Sequence, residues 1–285
     1  MVNNVKIIEC PRDAMQGIKS HFISTEAKAK YINSLLNVGF DTIDFGSFVS
    51  PKAIPQMRDT AAVLEKLNLA TTTSKLLAIV ANVRGANDAA QFEEIDYLGY
   101  PFSISENFQM RNTHKTIEQS VDTLKEVLSI ATRRNKEVVA YLSMGFGNPY
   151  GDPWDVEIVG EWTEKLSKIG VKILSISDTV GSSTPKDINY LFSNLIPSYP
   201  KIEFGAHLHT TPTKWYEKVD SAFNAGCKRF DGAIMGYGGC PMAKDELIGN
   251  MPTEKLLSYF TTKKVITNIK PMSFESAYNK ALEIF

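Results

Sequence analysis

The stretch that decides the fold is "VKIIECPRDAMQG", residues 5–17. An apolar, strand-like run gives way to a turn that carries Pro11, Arg12 and Asp13. In an open, doubly wound sheet the first strand leads into a glycine-rich turn, because a phosphate must approach the backbone there. Here the turn is "CPRDAMQG", polar and charged, which makes an open sheet the weaker reading. Working outward, "FDTIDFG", "KLLAIVA", "IDYLGYPFS", "EVVAYLSM", "KILSIS", "KIEFGAH" and "KRFDGAIM" are further strand-like runs, and helix-like segments alternate with them. These runs are too apolar for half-exposed strands and indicate a parallel sheet covered by helices. Eight strand–helix units in 285 residues fit a closed (β/α)8 TIM barrel of the α/β class. No linker or composition break divides the chain, so one barrel domain is expected over residues 1–285, with an extra helix over 273–284. Among the helices, Ser24 reads as an N-cap, Pro185 suits a first turn, and one long helix is expected over residues 113–134.

Apolar content of 43%, charged content of 22% and a formal net charge of −1 describe an ordinary globular chain. They leave no basic face for nucleic acid and no charge attraction to a membrane surface. No apolar run approaches the roughly 20 residues that span a bilayer. The N-terminus enters a strand at once, without a signal or transit segment. Cys10, Cys227 and Cys240 make neither a disulfide framework nor a zinc spacing, as expected of a cytoplasmic protein.

In a barrel, chemistry gathers where strands end and the following loops begin. The first strand ends at Arg12-Asp13, the second at Asp44, the sixth at Asp178-Thr179 and the seventh in "HLH", His207 to His209. Residues i and i+2 of a strand point the same way. Asp13, His207 and His209 therefore converge on one rim, a set that suits an octahedral divalent ion with open positions. It is hard enough for Mg²⁺ and nitrogenous enough for Mn²⁺, Fe²⁺ or Zn²⁺, with zinc less favoured for want of a thiolate. Arg12 and Asp13 also read as a buried ion pair, and Asp44 as a loop cap. Cys227 and Cys10 read as packing residues, and His21 and His114 as solvated or capping. Cys240 differs, because "YGGCPMAK" puts it on a glycine-rich loop beyond the eighth strand, either catalytic or merely tight-turning.

In order along the chain, "PRD", "SFVSPKAIPQMRD", "SDTVGSSTP", "HLH", "GGCP" and "GNMPTEKL" resemble the 3-hydroxy-3-methylglutaryl-CoA lyases. These are metal-dependent barrel enzymes related to acyl-CoA condensing enzymes. The resemblance implies that Asp13, His207, His209 and Asn250 hold a divalent metal, Mg²⁺ or Mn²⁺, without a nucleotide or redox cofactor. It implies catalytic roles for Arg12, beside a developing enolate, for Asp13, and for Asp44, where the family has a glutamate. His207 would sit beside the reacting hydroxyl and Cys240 would take part in proton transfer. The expected reaction is retro-Claisen cleavage of a 3-hydroxyacyl-CoA to acetyl-CoA and a keto acid. Coenzyme A would lie near Asn112 and Lys52, and a homo-oligomer, a dimer among the options, is expected. Three departures stand out: Thr210 replaces the aspartate of "H-x-H-D-T", Asn148 replaces a frequent cysteine, and the segment from Cys240 to Asn250, with Asp245 and Glu246, is one residue longer. Two other readings stay open, a Claisen-type synthase or aldolase on the same barrel and a metal-binding homologue without activity. The synthase is disfavoured because such enzymes usually carry a further C-terminal domain.

Overall fold

Alternation along each strand gives the sheet two packing faces, and the chain uses both. The computed structural model describes residues 4–239 and 248–285. Strands β1 (Lys6–Glu9), β2 (Thr42–Ser47), β3 (Lys75–Ile79), β4 (Ile95–Ser103), β5 (Glu137–Ser143), β6 (Ile173–Ser177) and β7 (Glu203–His207) run parallel in sequence order. The two-residue β8 (His209–Thr210) stands outside this series. Then β9 (Arg229–Gly232) closes the barrel by pairing with both β7 and β1. A last short strand, β10 (Gly249–Asn250), pairs antiparallel with β8, placing Asn250 opposite His209.

The helices are α1 (Pro11–Gln16), α2 (Thr25–Leu36), α3 (Thr60–Leu64), α4 (Val83–Ala90), α5 (Glu106–Thr113), α6 (Ile117–Arg133), α7 (Val156–Lys168), α8 (Pro185–Ser198), α9 (Trp215–Asn224), α10 (Thr253–Thr262) and α11 (Pro271–Ala281). The last is the extra C-terminal helix and packs on α2. Ser24 caps α2 through a bond from the Ala27 N–H, and Pro185 opens α8.

Two apolar clusters follow the pleat. Leu77 and Ile79 of β3, Tyr97 of β4, Val139 and Tyr141 of β5 and Ile173 of β6 pack together inside the barrel. Their alternates Leu76, Ala78, Leu98, Val138 and Ala140 join the larger core between the strands and the helices. The opposite wall of the interior is polar: Ser175, Arg229 and Asp231 are all buried there. Gly205 on β7 makes room for them. A Cβ at that position would stand 3.1 Å from both Arg229 Cδ and Ser175 Oγ.

Four local expectations are corrected. Asp44 neither ends the second strand nor caps a loop: it lies inside β2, buried, with its carboxylate on Arg12. The long helix over residues 113–134 is two helices. His114 adopts a left-handed φ of 56° as the C-cap of α5, and α6 starts behind a Thr116–Gln119 capping box. Arg12 and Asp13 are not at a strand end. Pro11 starts a helix at once, so both lie in the first turn of α1. The seventh strand stops at His207, and His209 belongs to the rim ribbon β8–β10.

Glu9 shows how the rim is tied to the outer shell. It is fully buried on the outer face of β1, where it accepts from Thr253 Oγ1 (2.6 Å) and from the Ile234 N–H (2.9 Å). Burial pushes its carboxyl up to about 8, against those two hydrogen bonds. The folded state therefore holds a proton that the unfolded chain releases near pH 4.5. Stability should fall as pH rises from about 4.5 to about 8 and then level off. We expect Glu9→Gln to flatten this slope and to exceed the parent protein above pH 8 by on the order of a few kcal/mol, read by urea unfolding at pH 6 and pH 8.5.

Candidate active site

A guanidinium between two carboxylates forms the floor of the site. Arg12 Nε lies 3.1 and 3.0 Å from the two oxygens of Asp44, its Nη2 lies 2.5 Å from Asp44 Oδ2, and its Nη1 lies 2.9 Å from Asp13 Oδ1. Arg12 is 7% exposed and Asp44 is not exposed at all, so the ions see little water and the fork geometry is fixed. Of the five guanidinium N–H groups, one on each terminal nitrogen remains for a ligand. Burial pushes Asp44 up to about 6 against the pull of Arg12, so the pair is ionised at neutral pH. Burial also raises Asp13, but Arg12, His207 and the Asn250 amide outweigh it and hold the carboxyl below its ordinary range.

The two imidazoles are oriented from behind. His207 Nδ1 lies 3.1 Å from Asp231 Oδ2, and His209 Nδ1 lies 3.0 Å from the Thr179 carbonyl. Their ring centroids are 5.3 Å apart. Burial lowers His207, but the bond and charge of Asp231 outweigh it and the net shift is upward. Burial, helped by His207, pulls His209 down to about 4, so its ring is neutral. Ligand atoms of Asp13, His207 and His209 all lie within 4.8 Å of one another. His209 Nε2 is buried and has no hydrogen-bond partner among the described residues. A neutral imidazole nitrogen without a partner, beside an ionised carboxylate, is the donor chemistry a divalent cation takes. The residues fit the metal that the sequence implies.

Asn250 is brought to the same place. Its Nδ2 donates to Asp13 Oδ2 at 2.6 Å and to the Tyr237 carbonyl at 2.8 Å, so as placed the amide turns its nitrogen toward the carboxylate. Gly238 crosses directly above, where a Cβ would meet Asp13 O at 2.7 Å and Asn250 Nδ2 at 2.8 Å, and its φ is +88°. Only glycine satisfies both the backbone and the approach. Cys240, Asp245 and Glu246 lie outside the described residues. Cys227 is a packing residue, with its Sγ 3.2 Å from the Arg229 carbonyl and its thiol pushed up to about 12 by burial. Cys10 is buried as well, but beside His207 and Asp231 rather than among apolar side chains alone.

Sequence reasoning missed two residues of the site. Asp231 lies inside β9, and its signal was the pair of charges at i and i+2 in "RFD", which alternation turns to one face. Lys218 of α9 is 2% exposed and donates to Asp178 Oδ2 (2.7 Å), the His209 carbonyl (2.8 Å) and the Gly181 carbonyl (3.2 Å). It thereby ties the loop carrying Thr179 to the strand carrying His209. The Thr210 hydroxyl donates to the Thr211 carbonyl and, among the described residues, bonds to neither histidine. Asn148 organises the loop after β5, accepting from the N–H groups of Tyr150 and Asp152.

A closed (β/α)8 barrel with a carboxylate, two imidazoles and a buried arginine on its C-terminal rim belongs to the barrels with a candidate divalent-metal site. The chain is a member of the HMGL-like family, whose model matches residues 4–280. It is 32% identical over 260 residues to the hydroxymethylglutaryl-CoA lyase YngG of Bacillus subtilis, covering 91% of this chain and 86% of that one. A crystal structure of the Bacillus subtilis HMG-CoA lyase superposes with a TM-score of 0.92 at 31% identity, over 99% of this chain and 95% of that one. The HMG-CoA lyase of Acinetobacter baumannii, solved in complex with coenzyme A and 3-methylmalate, superposes with a TM-score of 0.88 at 27% identity, over 97% of this chain and 89% of that one.

Removing one member of the buried ion pair strands the other. Arg12→Gln should destabilise the fold by about 3–5 kcal/mol, because Asp44 is left charged or must take up a proton. Replacing both, Arg12→Met with Asp44→Leu, should cost less. Urea unfolding of the two variants at pH 7 measures the difference.

Proposed function

We propose that this chain cleaves 3-hydroxy-3-methylglutaryl-CoA, or a branched 3-hydroxyacyl-CoA much like it, to acetyl-CoA and a keto acid. The observation that carries the reading is the meeting of Asp13, His207 and His209 beside Arg12, in a chain related over nearly its whole length to lyases of that name. Asp13, His207 and His209 would hold a divalent ion, with Asn250 against the same carboxylate. When bound, that ion supplies Lewis acidity toward the hydroxyl and carboxyl oxygens of the substrate.

The remaining work falls to the chain's own groups. The free N–H on each terminal nitrogen of Arg12 faces the charge that develops on the departing thioester as an enolate. Asp13 and Asp44 fix that guanidinium in one orientation, so little reorganisation is needed when charge appears. Asp231 fixes the His207 ring, which stands beside the tertiary hydroxyl whose proton must leave. Cys240, assigned from its sequence position alone, returns a proton to the enolate carbon. Asn112, near the end of α5, and Lys52, in the turn after β2, are both exposed, where a coenzyme A chain can lie along the surface. No described helix is long and apolar enough to cross a membrane, and we read the chain as cytoplasmic.

The assay is release of acetyl-CoA from 3-hydroxy-3-methylglutaryl-CoA with Mg²⁺ or Mn²⁺ added. Turnover should be lost in Cys240→Ala, and Arg12→Lys should lower kcat by about 100-fold or more. If the metal-loaded protein cleaves no branched 3-hydroxyacyl-CoA, the assignment fails. Thiol release from acetyl-CoA and a 2-oxo acid would point to condensation instead.

A further inference from the structure

The polar wall of the barrel holds a second group of ligand atoms, which shares His207 with the site described above and adds Cys10, a thiol to which the lyase chemistry gives no role. Cys10 follows β1, Asp231 lies on β9 and His207 ends β7, and these are three neighbouring strands. One ligand atom from each of the three lies within 4.8 Å of the others. Cys10 is 1% exposed, and its Sγ makes a long contact, 3.9 Å, to the Ile8 carbonyl. The Oδ2 of Asp231 is engaged by His207 Nδ1 and, at 3.3 Å, by Ser175 Oγ. Its Oδ1 is buried without a hydrogen-bond partner among the described residues, on a side chain only 1% exposed. The hydroxyl of Tyr141 is a second buried atom without a hydrogen-bond partner among the described residues, on a ring whose centroid is 5.7 Å from that of His207.

We propose that Cys10, His207 Nδ1 and Asp231 form a second cation site, selective for a thiophilic divalent ion such as zinc or cadmium. Ligands at about 2.0–2.3 Å from a tetrahedral ion stand roughly 3.3–3.8 Å apart, so rotations of about an ångström close this set. A thiolate, a carboxylate and a neutral imidazole balance a 2+ charge, which matters where the ligands are mostly buried. The thiol proton leaves to solvent as the sulfur–metal bond forms, and no electron is transferred. Oxygen-seeking Mg²⁺ has no reason to choose a thiolate, so the two sites sort ions by softness.

The shared ring makes the sites antagonistic. With Nδ1 on an ion, the imidazole proton sits on Nε2, the nitrogen left for the Asp13 side. A thiophilic ion would therefore displace the hard cation by changing the tautomer of His207 rather than by occupying its place. The binding claim does not rest on the lyase reading, since neither Asp13 nor substrate takes part.

The test uses Cys240→Ala protein, which removes the loop thiol, titrated with Co²⁺. A near-ultraviolet sulfur-to-cobalt charge-transfer band that saturates at one equivalent is expected, and it should be absent from the Cys10→Ala, Cys240→Ala double variant. Zinc affinity by calorimetry should fall roughly tenfold or more with that second substitution. If Cys10→Ala does not fold, Cys10→Ser keeps the volume and reads the same way. No band in the Cys240→Ala protein, or a band that survives the loss of Cys10, overturns the proposal. Neither result touches the acetyl-CoA assay.

Discussion

The structure depends on keeping one arginine charged in a place almost without water. Arg12 is held there by Asp13 and Asp44, and each carboxylate comes from a different strand–helix unit of the barrel. Burying an ion costs several kcal/mol unless its partners satisfy it, and here both partners do. Two carboxylates against one guanidinium still leave an excess negative charge on the rim. That excess, next to a neutral His209, suits the site to the cation proposed for it, which a plain ion-pair plug would not be. The alternative weighed from sequence, a buried pair closing the barrel end, is thus true as far as it goes. The pair exists, and it is also what shapes the site.

Orientation comes from the rows of residues behind the rim. Asp231 sets one imidazole, while the Thr179 carbonyl, steadied through Asp178 and Lys218, sets the other. Ligand histidines commonly rely on such partners for tautomer and direction. This answers the concern raised by Thr210. The absent aspartate of the family pattern is not needed to orient His207, because Asp231 does that from within β9. His209 uses a backbone oxygen, and Lys218 brings the loop supplying it into place. The price of this arrangement is a polar barrel wall, on which Arg229 keeps its guanidinium buried with Glu203 at 3.5 Å and Asp41 at 3.9 Å as its nearest carboxylates.

Much of this was legible in the sequence for a physical reason. Parallel barrel strands are buried on both faces and read as apolar runs, so "KLLAIVA" and "EVVAYLSM" announced themselves. Polar residues gather at and just beyond strand ends, so His207 at the end of β7, His209 just past it and Asp13 in the helix after β1 lay where position led, whereas Asp44 turned out to lie inside β2. Features set by tertiary contact were harder. A helix period that continues across His114 hides the break, although Thr116 and Gln119 already spelled a capping box. Lys218 looks like any helix lysine until the fold buries it four residues before Ala222 on the inner face of α9. Asp231 sits in the middle of a strand, where a search of strand ends does not look. The reading of Cys240 rests on its motif alone.

The central claim is that Asp13, His207 and His209 share one divalent ion. Pulsed electron paramagnetic resonance of the Mn²⁺-loaded protein tests it without substrate or turnover, because directly bound imidazole nitrogen leaves its own modulation on the echo. Two inequivalent nitrogen couplings are predicted for the parent protein and one for His209→Ala. Manganese bound with no nitrogen coupling at all would contradict the account.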